Sequence, residues 1–445
     1  MSATAMAAGA PHRSSTFKVL AAAAIGNALE WYDILVYGYF AVTISKLFFP
    51  TTDPTTALLL TFGTFGVSYL VRPFGALVLG AYADRAGRRA AMLLSIVIMT
   101  IGTGLMAIMP TYGSMGIVAP IAVLIARLLQ GFAVAGEFGS ATAFLVEHSK
   151  DRKGFFASFQ WFGQGLAAVL ASFFGVILFG WLTADQLESW GWRVPFFFGL
   201  LIGPIGLYIR KHVGETPEFR AQGPAKAPVR QMFAEHWDRL LMCIGVVILS
   251  TSSNYIILYM PTYAIKQLNL PQSLGFIATL IGGLLLTFGA PFFGHLSDRV
   301  GRVRLMVIVS LLFAVSAYPA FVLLVANPSL AGIVGIVCWL SLLKAAYSGT
   351  LPALMAELFP IATRSTGIAV AYNTSVPIFG GFAPFIAAWL VAITGSPLAP
   401  SYYLIATSLL SLMVLMVIHV RVKSAETLDA LPNADVMDRM SQLGH

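Results

Sequence analysis

The sequence predicts an all-α membrane protein of twelve transmembrane helices in two pseudo-symmetric six-helix bundles, and three observations carry that prediction. First, the 445 residues are 58% hydrophobic and only 10% charged, with a mean hydropathy of +0.81, a composition suited to lipid rather than water. Second, the apolar runs divide into twelve, each near the roughly 20 residues that cross a bilayer core. Third, a loop motif occurs twice. Gly80-x-x-x-Asp84-Arg85-x-Gly87-Arg88-Arg89 is echoed by Gly294-x-x-x-Asp298-Arg299-x-Gly301-Arg302, with Asp298, Gly301 and Arg302 each 214 positions beyond their counterparts. A repeat of that length is expected where a six-helix unit has been duplicated.

In chain order, the first span, near 17–40, follows sixteen small and polar residues that lack the pattern of a removable signal peptide. The second, near 56–81, runs into the first motif, and the third, near 91–109, starts beyond it. The fourth to sixth lie near 118–145, 155–180 and 194–210. A stretch over 211–238, carrying Pro217, Pro224 and Pro228, reads as a linker between bundles at 1–210 and 239–445. The seventh and eighth spans, near 239–263 and 273–296, lead to the second motif. The remaining four lie near 305–325, 330–356, 365–393 and 401–420, before a short polar tail. Glu147, Arg152 and Gly154 after the fourth span are matched by Glu357, Arg364 and Gly367 after the tenth.

With both termini cytoplasmic, 21 of the 27 Lys and Arg residues fall inside and three outside (Lys46, Arg193, Lys266), with three within spans (Arg72, Arg127, Lys344). That is the asymmetry of the positive-inside rule. The net charge of +8 therefore faces anionic lipid, not nucleic acid. Cys243 and Cys338 both lie in apolar runs and read as packing residues.

The duplicated loop resembles the signature of the major facilitator superfamily. Gly26-Asn27-x-x-Glu30-Trp31-Tyr32-Asp33, Arg72-Pro73-x-Gly75, Arg127-Leu128-x-Gln130-Gly131, Gly191-Trp192-Arg193-x-Pro195-Phe196 and Glu215-Thr216-Pro217 are similar to its metabolite:proton symporter branch. Leu60 to Tyr82 and Gly154 to Gln160 look most like the citrate and tricarballylate members. The resemblance implies the major facilitator fold, alternating access, proton coupling and an inner-membrane location in a bacterium.

An ionisable side chain in hydrocarbon costs at least about 2.5 kcal/mol, so such residues are functional candidates. Here they are Arg72, Arg127 and Lys344 among bases, and Glu30, Asp33 and Glu137 among acids. Arg127, Gln130, Val134 and Glu137 share one helical stripe; Lys344, Tyr347 and Ser348 share another, as do Gln160 and Gln164. Arg127 and Lys344 are expected to face one cavity from opposite halves, a geometry suited to a multivalent anion. Arg72, Gln160, Gln164, Tyr37 and Tyr347 complete the expected substrate site. The alternative role for Arg127 and Lys344 is neutralising the buried acids.

Glu30 and Asp33, three residues apart, and Glu137 are the expected proton carriers. Asp84, Arg85, Arg88, Asp298 and Arg299 are expected to lock helix ends on the cytoplasmic face. His295 reads as a boundary residue.

No His/Cys/Asp cluster has metal spacing, and neither a phosphate-binding Gly-Lys loop nor a Gly-x-Ser-x-Gly turn is present, so no cofactor, nucleotide or covalent chemistry is expected. The leading expectation is a monomeric proton-coupled importer of a small organic anion, a di- or tricarboxylate. The runner-up is a zwitterion symporter for proline or betaine, with Trp31, Tyr37, Tyr255 and Tyr259 as an aromatic cage.

Overall fold

The computed structural model describes residues 13–86, 88–134, 137–147, 151–212, 233–234, 236–361 and 363–429. Each of the twelve predicted spans overlaps helix among the described residues, several of them across a break. The helices that precede the expected linker are α1 (Arg13–Tyr39), α2 (Ala41–Phe48), α3 (Pro54–Leu70), α4 (Arg72–Ala86), α5 (Arg88–Ile108), α6 (Tyr112–Met115), α7 (Val118–Ala133), α8 (Glu137–Glu147), α9 (Lys153–Ala157), α10 (Phe159–Trp181), α11 (Ala184–Ser189) and α12 (Val194–His212). Beyond it come α13 (Trp237–Lys266), α14 (Gln272–Val300), α15 (Arg302–Ala326), α16 (Leu330–Leu358), α17 (Arg364–Val376), α18 (Ala383–Thr394) and α19 (Ala399–Asp429). Among the described residues, eight helical segments are long and apolar enough to cross a membrane, and Leu93–Ile108 and Val118–Ala133 are shorter apolar helices. Most of the expected linker lies outside the described residues.

Local chemistry explains several boundaries. Asp53 caps α3 by accepting from the Thr55 and Thr56 amides at 3.0 and 2.9 Å, with Pro54 at the first helical position. Hydrogen bonds from Thr56 and Thr55 hold the exposed Asp53 carboxyl below the usual carboxylate range. Gly301, at φ +97°, makes the turn from α14 to α15 where a side chain would be strained. Between α17 and α18, residues Pro377–Gly381 form a single wide π turn. Its Gly380 lies against Thr251 and Tyr255, and its Gly381 against Tyr69.

The helices before 212 pack largely on one another, as do those after 237. The two sets meet along α10 and α14, along α3 with the π turn and α18, and where α1 meets α13 and α8 meets α17. The α10–α14 seam is close because small residues line it, the usual means of helix approach in a membrane. Ser172 Oγ donates to Thr279 Oγ1 at 2.9 Å, and Gly165 faces Thr287. At one end Gly154 and Gly294 meet backbone to backbone, so that a Cβ on Gly154 would stand 2.4 Å from the Gly294 carbonyl oxygen. Gly154→Val should therefore part the seam and lower the melting temperature in detergent, at a cost of about 1–3 kcal/mol for overpacking. An unchanged melting temperature would place the seam elsewhere.

Aromatic contacts join the two sets of helices at both ends of the interface. At the end bearing Asp298, Phe138 of α8 stacks on Tyr372 of α17 with ring centres 3.6 Å apart. At the opposite end, Phe276 of α14 packs on Tyr39, Phe40 and Phe179 at 6.0, 5.7 and 5.1 Å.

Candidate functional site

Four charged side chains are buried among the described residues: Asp33, Arg72, Arg127 and Lys344, at 2%, 2%, 1% and 3% exposure. Asp33 and Arg127 belong to one centre and Lys344 to another, while Arg72 stacks on Tyr69.

The first centre lies within the first half of the chain. Arg127 Nη1 donates to Gln130 Oε1 at 2.6 Å, Gln130 Nε2 donates to Thr103 Oγ1 at 3.0 Å, and Thr103 Oγ1 donates to Asp33 Oδ2. Because guanidinium has no acceptor, the Gln130 oxygen must face Arg127 and its amide nitrogen must face Thr103. Every donor then points away from the arginine and toward the carboxylate. Asp33 Oδ1 is buried with no hydrogen-bond partner among the described residues. The guanidinium of Arg127 also lies 4.5 Å from the Tyr37 ring centre and 5.2 Å from that of Phe65.

The second centre straddles the halves. Lys344 Nζ of α16 donates to Gln164 Oε1 of α10 at 3.1 Å and to Asn254 Oδ1 of α13, and it stands 5.3 Å from the Trp161 ring centre. It borders a cavity of about 20 Å³, enough for about one water, lined also by Tyr39, Gln164, Asn254, Thr279 and Ser341. An ammonium has donors only, so both amide oxygens are drawn to Lys344 and both amide nitrogens are left for the cavity. Gln164 Nε2, Asn254 Nδ2 and Ser341 Oγ indeed have no partner among the described residues. No carboxylate is among the lining residues.

This geometry corrects the expectation that Arg127 and Lys344 face one cavity. Arg127 is turned toward α1 and α3 and is absent from the lining of the Lys344 cavity, because Tyr37, Phe65 and Gln130 hold its head group. Tyr347 is likewise directed elsewhere, its hydroxyl donating to the Val246 carbonyl at 2.8 Å. Tyr37 donates to the Thr61 carbonyl at 3.2 Å. Gln160 is buried but does not line the cavity.

Arg72 opens α4 just past the break in the second span and stacks 4.0 Å from the Tyr69 ring centre. Tyr69 accepts a 2.5 Å hydrogen bond from Tyr255 across the interface. Glu30 is half-buried on α1. The side chains of Glu137, Asp84, Arg85 and Arg88 lie outside the described residues.

Asn254, Ser341, Thr103 and Trp161 are site residues that sequence reasoning passed over. Asn254 was signalled by the run Ser250-Thr251-Ser252-Ser253-Asn254, five polar residues inside an apolar span.

At the motif end, Asp298 accepts from the Gly154 and Phe155 amides at 2.8 and 3.0 Å, capping α9 from across the interface. Arg302 donates to Asp298 at 2.9 Å and also to Glu357. Of the expected lock, Asp298 thus makes contacts between the halves.

The family model for the Major Facilitator Superfamily matches residues 34–371 and 242–436. A citrate–proton symporter of Klebsiella pneumoniae is 36% identical over 384 residues, covering 85% of this chain and 86% of that one. A glycine betaine/proline/ectoine/pipecolic acid transporter of Dickeya dadantii is also 36% identical, over 416 residues, covering 89% and 82%. Among solved structures, a D-xylose–proton symporter superposes with a TM-score of 0.68 at 20% identity, covering 89% of this chain and 97% of that one, a likeness of fold. These relatives are transporters and not enzymes, and the chain belongs with them to the Major Facilitator Superfamily.

Proposed function

We propose that this protein imports a di- or tricarboxylate with protons by alternating access, with citrate or tricarballylate favoured. The reading takes the chain as a monomer of twelve crossings, two six-helix bundles joined over 211–238, in a bacterial inner membrane with both termini cytoplasmic. The observation that carries it is the excess of buried positive charge: Arg72, Arg127 and Lys344 against Asp33 among the described residues. Leaving a buried charge uncompensated is strongly destabilising, and an anion of two or more charges would supply the compensation. The donors around Lys344 suit one of its carboxylates. Arg127, with Tyr37 beside it, and Arg72 are the reserves for a second, and Gln164, beside Lys344, and Gln160 are assigned to the same substrate. The name of the Klebsiella relative supports the same substrate class.

The proton enters at Asp33 in this reading, with Glu30 and Glu137 as further carriers. Protonation at the unpartnered Oδ1 removes the negative charge while Oδ2 still accepts from Thr103, which weakens the carboxylate's pull through the Arg127–Gln130–Thr103 chain and leaves the arginine to respond to substrate. Each proton moving net charge adds about 2.3 kcal/mol per 100 mV of membrane potential, so a trivalent anion needs several protons for inward drive.

The osmolyte alternative draws on the Dickeya relative. It is less well supported because the expected cage is already occupied. Tyr37 carries Arg127, Trp31 packs on Tyr255 at 6.5 Å, and Tyr259 packs on Phe62 at 5.7 Å. Proteoliposomes under an acid-outside gradient should accumulate labelled citrate or tricarballylate and exclude betaine. Accumulation of betaine alone would reverse the assignment.

A further inference from the structure

We propose that Lys344 is the residue that selects anions over zwitterions, because its ammonium occupies the place that a zwitterion's own ammonium would take. The proposal rests on reading the Lys344 cavity as a carboxylate site.

Nζ sits within cation–π range of the Trp161 face, 5.3 Å from its centre. It also holds the two amide oxygens, Gln164 Oε1 and Asn254 Oδ1, that would be the natural acceptors for a substrate N–H. The groups left over are Gln164 Nε2, Asn254 Nδ2 and Ser341 Oγ, all unpartnered among the described residues and all bordering the cavity. They are what a carboxylate requires. The surroundings of the Lys344 ammonium, with the Trp161 face, two amide oxygens and a set of unpartnered donors on the cavity side, have the complete chemistry for an amino acid or betaine, carboxylate on one side and cation on the other. Here the cationic half is filled by a tethered side chain. A betaine reaching this centre, once the one-water cavity widens to admit a substrate, would bring a second positive charge against Lys344 and find the Trp161 face already taken. A polycarboxylate would meet an ammonium already in position. Selection between the two substrate classes thereby falls to one side chain within a shared carboxylate pocket.

Two substitutions separate site occupancy from net charge. Lys344→Met removes the ammonium and opens the Trp161 face. Asn254→Asp leaves the ammonium in place and neutralises it with a carboxylate of nearly the same size. Binding of citrate and of glycine betaine would be measured on the full chain by ligand-dependent thermal shift and by uptake into proteoliposomes. Both variants should lose citrate affinity by about tenfold or more. Only Lys344→Met should gain betaine, by about tenfold, as expected when a cation reaches a desolvated indole.

Lys344→Gln is the second neutral variant where Lys344→Met does not purify as a folded protein. The proposal is overturned if neither neutral variant gains betaine, if Asn254→Asp gains it equally, or if citrate binding survives the loss of Lys344. Those failures leave the carboxylate reading of the wild type standing. A wild type that carries betaine and not citrate overturns that reading directly.

Discussion

Asp33→Asn should leave the protein folded and able to exchange labelled for unlabelled substrate, yet unable to accumulate it on a proton gradient. The amide retains an acceptor oxygen for Thr103, so the Arg127–Gln130–Thr103 chain still has a terminus. What it loses is the place where a proton binds. The unpartnered Oδ1 is the open position on Asp33, and an amide nitrogen there cannot take a proton and release it. A gradient of about two pH units sustains roughly hundredfold accumulation per coupled proton, since each unit is worth about 1.36 kcal/mol. The variant should show none of that accumulation while counterflow stays within a few-fold of wild type. Accumulation that persists would move the coupling to Glu30 or Glu137.

Asp298→Asn should shift the population toward states open at the motif end. Both carboxylate oxygens accept backbone amides at the start of α9, one from Gly154 and one from Phe155. An asparagine can offer only one oxygen, and its NH₂ would face the other amide. The substitution removes one charge-assisted hydrogen bond, worth about 1.5–3 kcal/mol, and the attraction of an anion for a helix N-terminus, about 0.3–1 kcal/mol. A loss of about 2 kcal/mol is roughly a thirtyfold change in population. Spin labels on α8 and α17 would report it as a longer distance component absent from the wild type. An unchanged distance distribution would show that the Phe138–Tyr372 stack holds this end closed without the carboxylate.

Much of this architecture could be read from the chain alone. Hydropathy located the helices to within a few residues, because twenty apolar residues in a row have few alternatives. The motif repeat located the turn at Gly301 and Asp298 beside it, which accepts from the Gly154 and Phe155 amides. Helical spacing correctly put Arg127 beside Gln130, and the duplication pointed near Lys344, since Ser341 stands 214 positions beyond Arg127 and itself lines the cavity. Spacing fixes a face, however, and not the neighbour that the face meets. Arg127 and Lys344 looked like a pair because both are cations at related positions. Only packing shows that Tyr37 and Phe65 hold one within its own half while the other reaches across to Gln164. Tyr347 was misplaced for the same reason: its hydroxyl meets a backbone carbonyl of α13, which carries no mark in the sequence.

The wide turn at Pro377–Gly381 bears on how this protein moves. A π turn lengthens the hydrogen-bond ladder by one residue, and bends in helices gather at such irregularities. Its two glycines place that irregularity directly against Tyr69 and Tyr255, the pair whose hydroxyls join the halves. The helix pair α17–α18 is thus an elbow rather than a rod. When the tyrosines separate, the forearm that carries Tyr372 can swing away from Phe138 while α18 keeps its grip on α3.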